Sequence, residues 1–383
     1  MTDQNLKTIE DRYQLGTYGK LPIAIDRGSG CYVFDSDGQR YLDYYGGHCV
    51  ASTGHCHPRV VEAVRKQAGE LFFYSNAAYS SIRAQASQLL IETCGEPYYQ
   101  AFYVNSGAEA NENAIKLARA LTGRTEVISM ENAFHGRTYG ALSATGIKHH
   151  REYLNTPVPG HTILPYDAVA DAVSDQTAAV LVEPIQSMGG VFEIPITTLQ
   201  AIRRACAAHG TLLIFDEIQT GVGRTGEFLF SRKSGIFPEL VTLAKGIGSG
   251  YPAGILLVTE AISKQVKFGD LGSTFGGSSL ACAAIKATLE VIRDEGLTEN
   301  ASKIGSYLKS QLLSLESVEE VRGCGLLLGV RFKNLTAREV QQKLMAAYIL
   351  AGTSSDPGIL RLMPPLTLSQ GEADIFLDTV RSL

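Results

Sequence analysis

The residues of this chain best suited to chemistry are an acid and an amine at the ends of two apolar runs. Residues 212–215 (LLIF) and 240–244 (LVTLA) each have strand length, and each stops at a charge: Asp216 after the first, Lys245 after the second. In open α/β sheets the ligand crevice lies outside the carboxyl ends of the strands, so two such ends face one pocket. A lysine held among apolar neighbours has a lowered pKa and attacks a carbonyl as the free amine, forming a Schiff base. A carboxylate one strand-end away holds a pyridinium nitrogen in its protonated form. Lysine plus acid is the pair that a pyridoxal phosphate (PLP) enzyme needs. The plainer reading is two solvated charges that end strands by coincidence, and these two residues alone leave both readings open.

The elements that carry this pair belong to a chain of 383 residues, more than one compact core usually accommodates. Two domains, or one large domain with a satellite, are expected. Hydrophobic residues at 45% and charged residues at 19% suit a globular enzyme. A net charge of −5 and a pI near 5.9 argue against nucleic acid as a partner. No apolar run approaches the roughly 18 residues of a membrane span, so no membrane partner is expected. The amino-terminal MTDQNLKTIEDRY is polar, without the apolar core of a signal peptide. Seven scattered cysteines fit reduced thiols in the cytoplasm rather than a disulfide framework.

Residues 1–20 read as an irregular or helical arm. Runs at 23–25, 31–34 and 40–42 alternate with turn signals at Arg27-Gly28-Ser29-Gly30 and Asp35-Ser36-Asp37-Gly38, which predicts a small antiparallel meander. Pro58 opens a helix in which Val60, Val61, Val64 and Ala68 share a face. Beyond Ser80 the pattern becomes helices at 81–94, 109–122 and 197–209 among strands at 101–104, 126–130, 178–183, 212–216, 240–244 and 255–259. Strands apolar throughout, alternating with amphipathic helices, predict an α/β fold: a mostly parallel sheet sandwiched by helices. A helix from 279 to about 293 leads to a second α+β unit, with helices at 304–315 and 337–347 and strands at 326–330 and 359–361. The expected division is an arm and meander at 1–57, part of a small domain; a large PLP-binding domain at 58–290; and the rest of the small α+β domain at 291–383.

Further motifs gather around the pair. Ser106-Gly107-Ala108-Glu109 follows a strand and starts a helix, where backbone N–H groups and the helix dipole suit a phosphate. Locally the simpler reading is a capped helix, Ser106 the cap and Glu109 its capping-box partner. Phe134-His135-Gly136-Arg137 offers a ring to stack on a flat cofactor and a guanidinium to clamp a carboxylate; a buried Phe beside a solvated Arg is the equal alternative. Gly221-Val222-Gly223-Arg224-Thr225-Gly226 fits the dinucleotide fingerprint, but no helical period follows it. A nicotinamide oxidoreductase is therefore the contrasting class, and the glycines are read as a mobile loop. His48, His55, Cys56 and His57 look like metal ligands, yet their side chains diverge and no second Cys/His cluster completes a tetrahedral set, so no metal is expected.

In order and together, these motifs resemble the class III (ornithine/acetylornithine-type) aminotransferases, PLP enzymes of fold type I. The match spans nearly the whole chain: DSDGQRYLD from Asp35, GHCHP from Gly54, SGAEA from Ser106, FHGRT from Phe134, EPIQ from Glu183, DEIQTG from Asp216, GRTG from Gly223, TLAKG from Thr242, GSTFGG from Gly272, VRG from Val321 and LRLMPPL from Leu360. The resemblance implies roles residue by residue. Lys245 anchors PLP covalently and then serves as base and acid of the proton shift. Asp216 pairs with the pyridine nitrogen, Gln219 reaches the phenolic oxygen, Phe134 stacks on the ring and Glu183 lies near it. Ser106, Gly107 and Ala108 cradle the phosphate. Thr274 reaches the phosphate of a neighbouring subunit's cofactor, which implies a homodimer with sites at its interface. Arg137, Arg361 and Ser273 are the implied substrate-binding residues, Arg137 as the carboxylate clamp.

The chain departs from the resemblance after Glu183-Pro184-Ile185-Gln186, where Ser187-Met188 replace the usual Gly-Glu. In many members that glutamate covers the arginine matching Arg361 while the donor binds. Met188 forms no salt bridge, so Arg361 is expected to stand permanently uncovered. Ser278-Ser279 stand where Asn-Pro is common, and nothing functional follows from them. The implied activity moves the terminal amino group of an ornithine-like donor (acetylornithine, ornithine or another ω-amino acid) to a 2-oxo acid such as 2-oxoglutarate, by a ping-pong cycle. The alternatives, given Met188, are a PLP-dependent aminomutase or a transaminase with a different donor.

Overall fold

The computed structural model describes residues 3–152 and 154–383. A seven-stranded sheet runs through its centre in the spatial order Tyr98–Val104, Gly254–Thr259, Leu240–Leu243, Leu212–Asp216, Thr177–Val182, Glu126–Met130, His161–Leu164. Gly254–Thr259 is antiparallel to both neighbours and every other pairing is parallel. This is the mostly parallel α/β sheet that the alternation of strands and helices predicts. Successive side chains of a strand point to opposite faces. Leu213, Phe215, Val241 and Leu243 therefore join one apolar cluster, and Ile214, Leu240 and Leu256 join a second, under the helix Gly107–Thr122. Helix Ile196–His209 adds Ile202 and Cys206 to the first. With both faces covered, Thr177–Val182 is buried at every residue.

Local chemistry sets where the helices begin. The Ser80, Ser106 and Ser278 side chains accept backbone N–H groups of Arg83, Glu109 and Ala281, so Ser81–Cys94, Gly107–Thr122 and Ser279–Asp294 each start on a cap. Pro58 opens Pro58–Glu70, where its missing N–H costs nothing. Thr336 and Ser369 form capping boxes with Glu339 and Glu372 before Ala337–Ala346 and Gln370–Arg381.

The meander forms, displaced from its expected register. Its strands are Ile25–Ser29, Tyr32–Asp35 and Arg40–Asp43, and the first turn comes at Gly30, whose φ of 58° glycine takes without strain. Arg27-Gly28-Ser29 is strand rather than turn. Ile349–Leu350 adds to Leu42 and Asp43 as a parallel fourth strand, so an early and a late part of the chain share one sheet. A further sheet joins Val318–Cys324, Leu327–Phe332, Ile359–Leu362 and Gly352–Thr353 in that order. The strands His161–Leu164 and Val318–Cys324 and the helix Gln370–Arg381 are absent from the sequence reading. Val318–Cys324 carries a register shift between Val318 and Glu320, which interrupts the alternation by which a strand is recognised.

One close approach ties the sheet to the turn at Ser106. Gly254 pairs with Val104, and a Cβ there would lie 2.3 Å from the Ser106 carbonyl oxygen. Only glycine fits without moving that turn. Gly254→Ala is expected to lower the unfolding free energy by about 1–3 kcal/mol, the usual cost of overpacking a filled site. Urea unfolding checks this, and an unchanged midpoint would show that the turn yields freely.

Candidate active site

Asp216 and Lys245 meet because their strands are neighbours. Leu212–Asp216 pairs in parallel with Leu240–Leu243, Asp216 opposite Thr242, so Lys245 emerges just beyond the same sheet edge. Both line a cavity of about 450 Å³ together with Ser106, Gly107, Ala108, Phe134, Arg137, Glu183 and Gln219. Of the site residues expected from the sequence, only Ser273, Thr274 and Arg361 lie off its wall. Lys245 has a φ of 46°, in the left-handed region, where a non-glycine residue persists only if its surroundings hold it. Among the described residues nothing hydrogen-bonds its amine. Burial lowers its pKa, against the opposing fields of Asp216, Cys49 and Glu183.

Asp216 is buried and receives three N–H groups. Ile218 N donates to Oδ1 at 3.1 Å, while Asn111 Nδ2 and His135 Nδ1 each donate to Oδ2 at 2.8 Å. Asn111 also donates to the His135 carbonyl at 2.7 Å, and its own carbonyl accepts from Thr242 Oγ1 at 2.8 Å. The sequence reading misses Asn111 and Thr242. One signal was available for Asn111: it is the polar residue among Ala110, Ala114, Ile115, Leu117 and Ala118 on the buried face of its helix.

The turn at Ser106 satisfies both of its readings. Its hydroxyl accepts the Glu109 N–H at 3.2 Å as a cap, and the same turn lines the cavity. Glu109 departs from a capping box, taking the Asn105 N–H at 3.1 Å instead. Phe134 N–H donates to Glu183 Oε1 at 2.6 Å, and Arg137 Cζ lies 5.7 Å from the Phe134 ring centroid. Burial, then the nearby Asp216, raises the Glu183 pKa. Gln219 Oε1 is buried without a protein partner.

Arg361 lies outside the cavity wall and is buried. Nε donates to Thr353 O at 2.6 Å, and Nη1 lies 3.2 Å from Ser187 Oγ and 3.8 Å from Met363 Sδ. Among the described residues no carboxylate pairs with it, in keeping with Ser187-Met188, but the expectation of an uncovered guanidinium is corrected: neutral groups enclose it. Tyr45 packs on Gly352, which stands opposite Arg361 on the adjoining strand, and its hydroxyl hydrogen-bonds His48 Nδ1. Burial, with Arg361 and Lys245 nearby, pushes His48 down to about 3. Ser273 Oγ accepts the Gly276 N–H at 3.0 Å and Asn105 Nδ2 at 3.5 Å, and Thr274 is exposed.

The remaining motifs serve structure. His55 bonds Asp43 at 2.8 Å, and His57 caps Pro58–Glu70. Residues 221–226 are not a mobile loop: Arg224 and Thr225 are buried, and the Arg224 guanidinium donates to the carbonyls of Leu326 and Pro364.

The chain matches the family Aminotransferase class-III over residues 15–383. It is 39% identical over 387 residues to the acetylornithine aminotransferase of Methanothermobacter thermautotrophicus, covering 99% of this chain and 98% of that one. Identity to the acetylornithine aminotransferase of Methanopyrus kandleri is 41% over 368 residues, covering 95% of each. Among solved structures, the ornithine aminotransferase of Toxoplasma gondii is similar with a TM-score of 0.94 at 30% identity, covering 100% of this chain and 93% of that one. The chain belongs to the class III aminotransferases and has their PLP fold type I. Its cofactor is pyridoxal phosphate, the group named at the active site of the Toxoplasma enzyme.

The cavity fits that group. The Lys245 amine and Gln219 Oε1 stand at its wall without protein partners, Asp216 Oδ1 has a lone pair to give, and the first turn of Gly107–Thr122 presents free backbone N–H groups.

Glu217, next to Asp216, turns elsewhere and accepts the N–H groups of Phe230 at 2.5 Å and Ser231 at 2.9 Å. Burial raises its pKa to about 7. A carboxyl raised on folding adds stability that is complete below its unfolded pKa and is lost as pH rises through the folded value. Stability should therefore fall between about pH 4.5 and about pH 7 through this group. Glu217→Gln should flatten that slope in denaturant titrations, and an identical slope in wild type and variant would clear Glu217 of the effect.

Proposed function

We propose that the protein moves the terminal amino group of an ornithine-like donor (ornithine, acetylornithine or another ω-amino acid) to 2-oxoglutarate or a similar 2-oxo acid. The observation that carries this reading is the meeting of Lys245 and Asp216 at adjacent strand ends in one cavity, with Arg137 on its wall. The similar archaeal enzymes are named for acetylornithine and the Toxoplasma enzyme for ornithine, which supports a donor of that class. Bound PLP supplies a carbonyl for the amine and a ring that takes up electrons from the donor carbon.

In this reading Lys245, its basicity lowered by burial, is the amine that anchors the cofactor and then carries the transferred proton at Nζ. Asp216 holds the proton of the ring nitrogen, and Gln219 serves the phenolic oxygen. Ser106, Gly107 and Ala108 hold the phosphate at a helix N-terminus. Phe134 walls the ring, with Glu183 fixing its backbone through the Phe134 N–H. Arg137 takes a substrate carboxylate, Arg361 takes another only when Ser187 and Met363 move off its guanidinium, and Ser273 completes the substrate set from its loop beside Asn105.

The working unit in this reading is a cytoplasmic homodimer. Phe72, Tyr74, Tyr79 and Phe275 are exposed, Phe73 and Phe275 meet with ring centroids 5.1 Å apart, and Thr274 adjoins them outside its own cavity. That supports Thr274 as a contact to a partner's phosphate. All seven cysteines are free, which supports a reducing compartment. Residues 1–57 and 291–383 make the smaller of two units in this reading, a division supported by the pairing of Ile349–Leu350 with Leu42 and Asp43.

The visible spectrum of the purified protein is the first test. A cofactor band should bleach with ornithine-type donors and return with 2-oxoglutarate; a band that no ω-amine bleaches would overturn the donor class. Turnover that needs no added acceptor would point to an aminomutase. Met188 lines the same cavity, and Met188→Glu adds an acid next to Ser187, whose hydroxyl lies 3.2 Å from Arg361 Nη1. The variant should raise the KM for 2-oxoglutarate about 5-fold to 100-fold, the range of a new charged contact that the acceptor must displace. Unchanged KM values for donor and acceptor would separate Met188 from substrate choice.

A further inference from the structure

The carboxylate of Asp216 is constrained more tightly than its place at a strand end requires. Oδ2 receives two donors, Asn111 Nδ2 and His135 Nδ1, and Oδ1 receives one, Ile218 N. A carboxylate oxygen accepts about two hydrogen bonds, so Oδ2 is filled and Oδ1 keeps one place. Asn111 can face only one way. Its two N–H groups go to His135 O and Asp216 Oδ2, and its carbonyl takes the Thr242 hydroxyl proton. A turned amide would set its oxygen against two acceptors and leave that hydroxyl unmatched. His135 is fixed likewise: Nε2 is buried without a partner, so the ring N–H is the one at Nδ1 that Asp216 receives. Asn111, His135 and Thr242 come from separate elements, the helix Gly107–Thr122, the loop beyond Glu126–Met130 and the strand Leu240–Leu243.

We infer that Asn111, locked by Thr242 and acting with His135, is a positioning residue for amino transfer: it sets the Asp216 carboxylate so that Oδ1 alone is left for the N–H of the cofactor ring. The inference rests on the reading that Asp216 serves the ring nitrogen. None of its donors is an arginine or lysine: they are an amide, an imidazole and a backbone N–H. Helix, loop and strand must all keep their places for the carboxylate to keep its rotamer, which makes its direction a property of the packed fold.

The test uses the PLP-loaded enzyme and the variants Asp216→Asn, Asn111→Asp, Thr242→Val and Thr242→Ser. Two quantities are read: the pH midpoint of the bound-cofactor absorbance, and kcat apart from KM. Thr242→Val removes one hydroxyl from the lock. It should move the midpoint in the direction set by Asp216→Asn and lower kcat about tenfold with KM within about twofold, the size and pattern of a lost contact to a charged group that acts in the transition state. Thr242→Ser restores the hydroxyl and should restore both readings. Asn111→Asp sets a second carboxylate against Asp216 and should lower kcat about 100-fold. Thr242→Val alone decides the matter should Asn111→Asp fail to fold. If Asp216→Asn leaves the midpoint where it was, the reading of Asp216 falls and this inference with it. If Asp216→Asn moves the midpoint while Thr242→Val matches the wild type, the network is packing only and the inference alone is overturned.

Discussion

The lateral pairing of two parallel strands is the constraint on which the site depends. Leu212–Asp216 and Leu240–Leu243 lie side by side at the usual spacing of about 4.8 Å, and that adjacency delivers an acid and an amine to one crevice. Their register needs explicit fixing, because both faces of these strands are apolar and a slip would cost less than in a half-exposed sheet. Polar contacts at the two ends supply it. At the carboxyl end the Thr242 carbonyl accepts the Glu217 N–H at 3.0 Å while its hydroxyl bonds Asn111. At the other end Glu239 accepts the Leu213 N–H at 2.9 Å and is itself gripped by Arg203. The residues that hold the sheet in register are thus continuous with those that aim the acid.

The charges of the cavity are arranged as separate centres. Lys245, Arg137, Asp216 and Glu183 share it with no salt bridge among them, and the acids are held by N–H groups. Amide and backbone N–H donors orient a carboxylate without neutralising it, whereas a paired arginine or lysine inside the cavity would match its charge. The same enclosure lowers the amine and raises Glu183, so burial acts on acid and base together.

What the sequence shows and what it hides divide by range. The strands ending at Asp216 and Lys245, the serine-capped helices and the turn at Ser106 depend on spacing and caps within a few residues, and they form as read. The pairing of Ile349–Leu350 with Leu42 and Asp43 joins distant stretches that no local pattern connects. The contacts of Asn111 span 105 residues to Asp216 and 131 to Thr242, and nothing at either end of such a bond announces the other. Residues 221–226 show the opposite failure. Their glycines read as freedom, but Arg224 reaches two carbonyls far along the chain and makes the segment rigid. Arg361 belongs to the substrate residues by resemblance, while its enclosure by Thr353, Ser187 and Met363 is visible only in three dimensions.

The contacts that hold Arg361 are a carbonyl, a hydroxyl and a thioether, all dipoles and none of them an ion. Dissolved salt weakens attraction between opposite charges across water, but it has little purchase on a buried cation held by dipoles. Among the described residues no carboxylate bonds this guanidinium, so its placement does not depend on a partner of opposite charge. Raising the ionic strength then leaves the hold on this cation untouched, whereas it loosens exposed pairs such as Lys264 with Glu260.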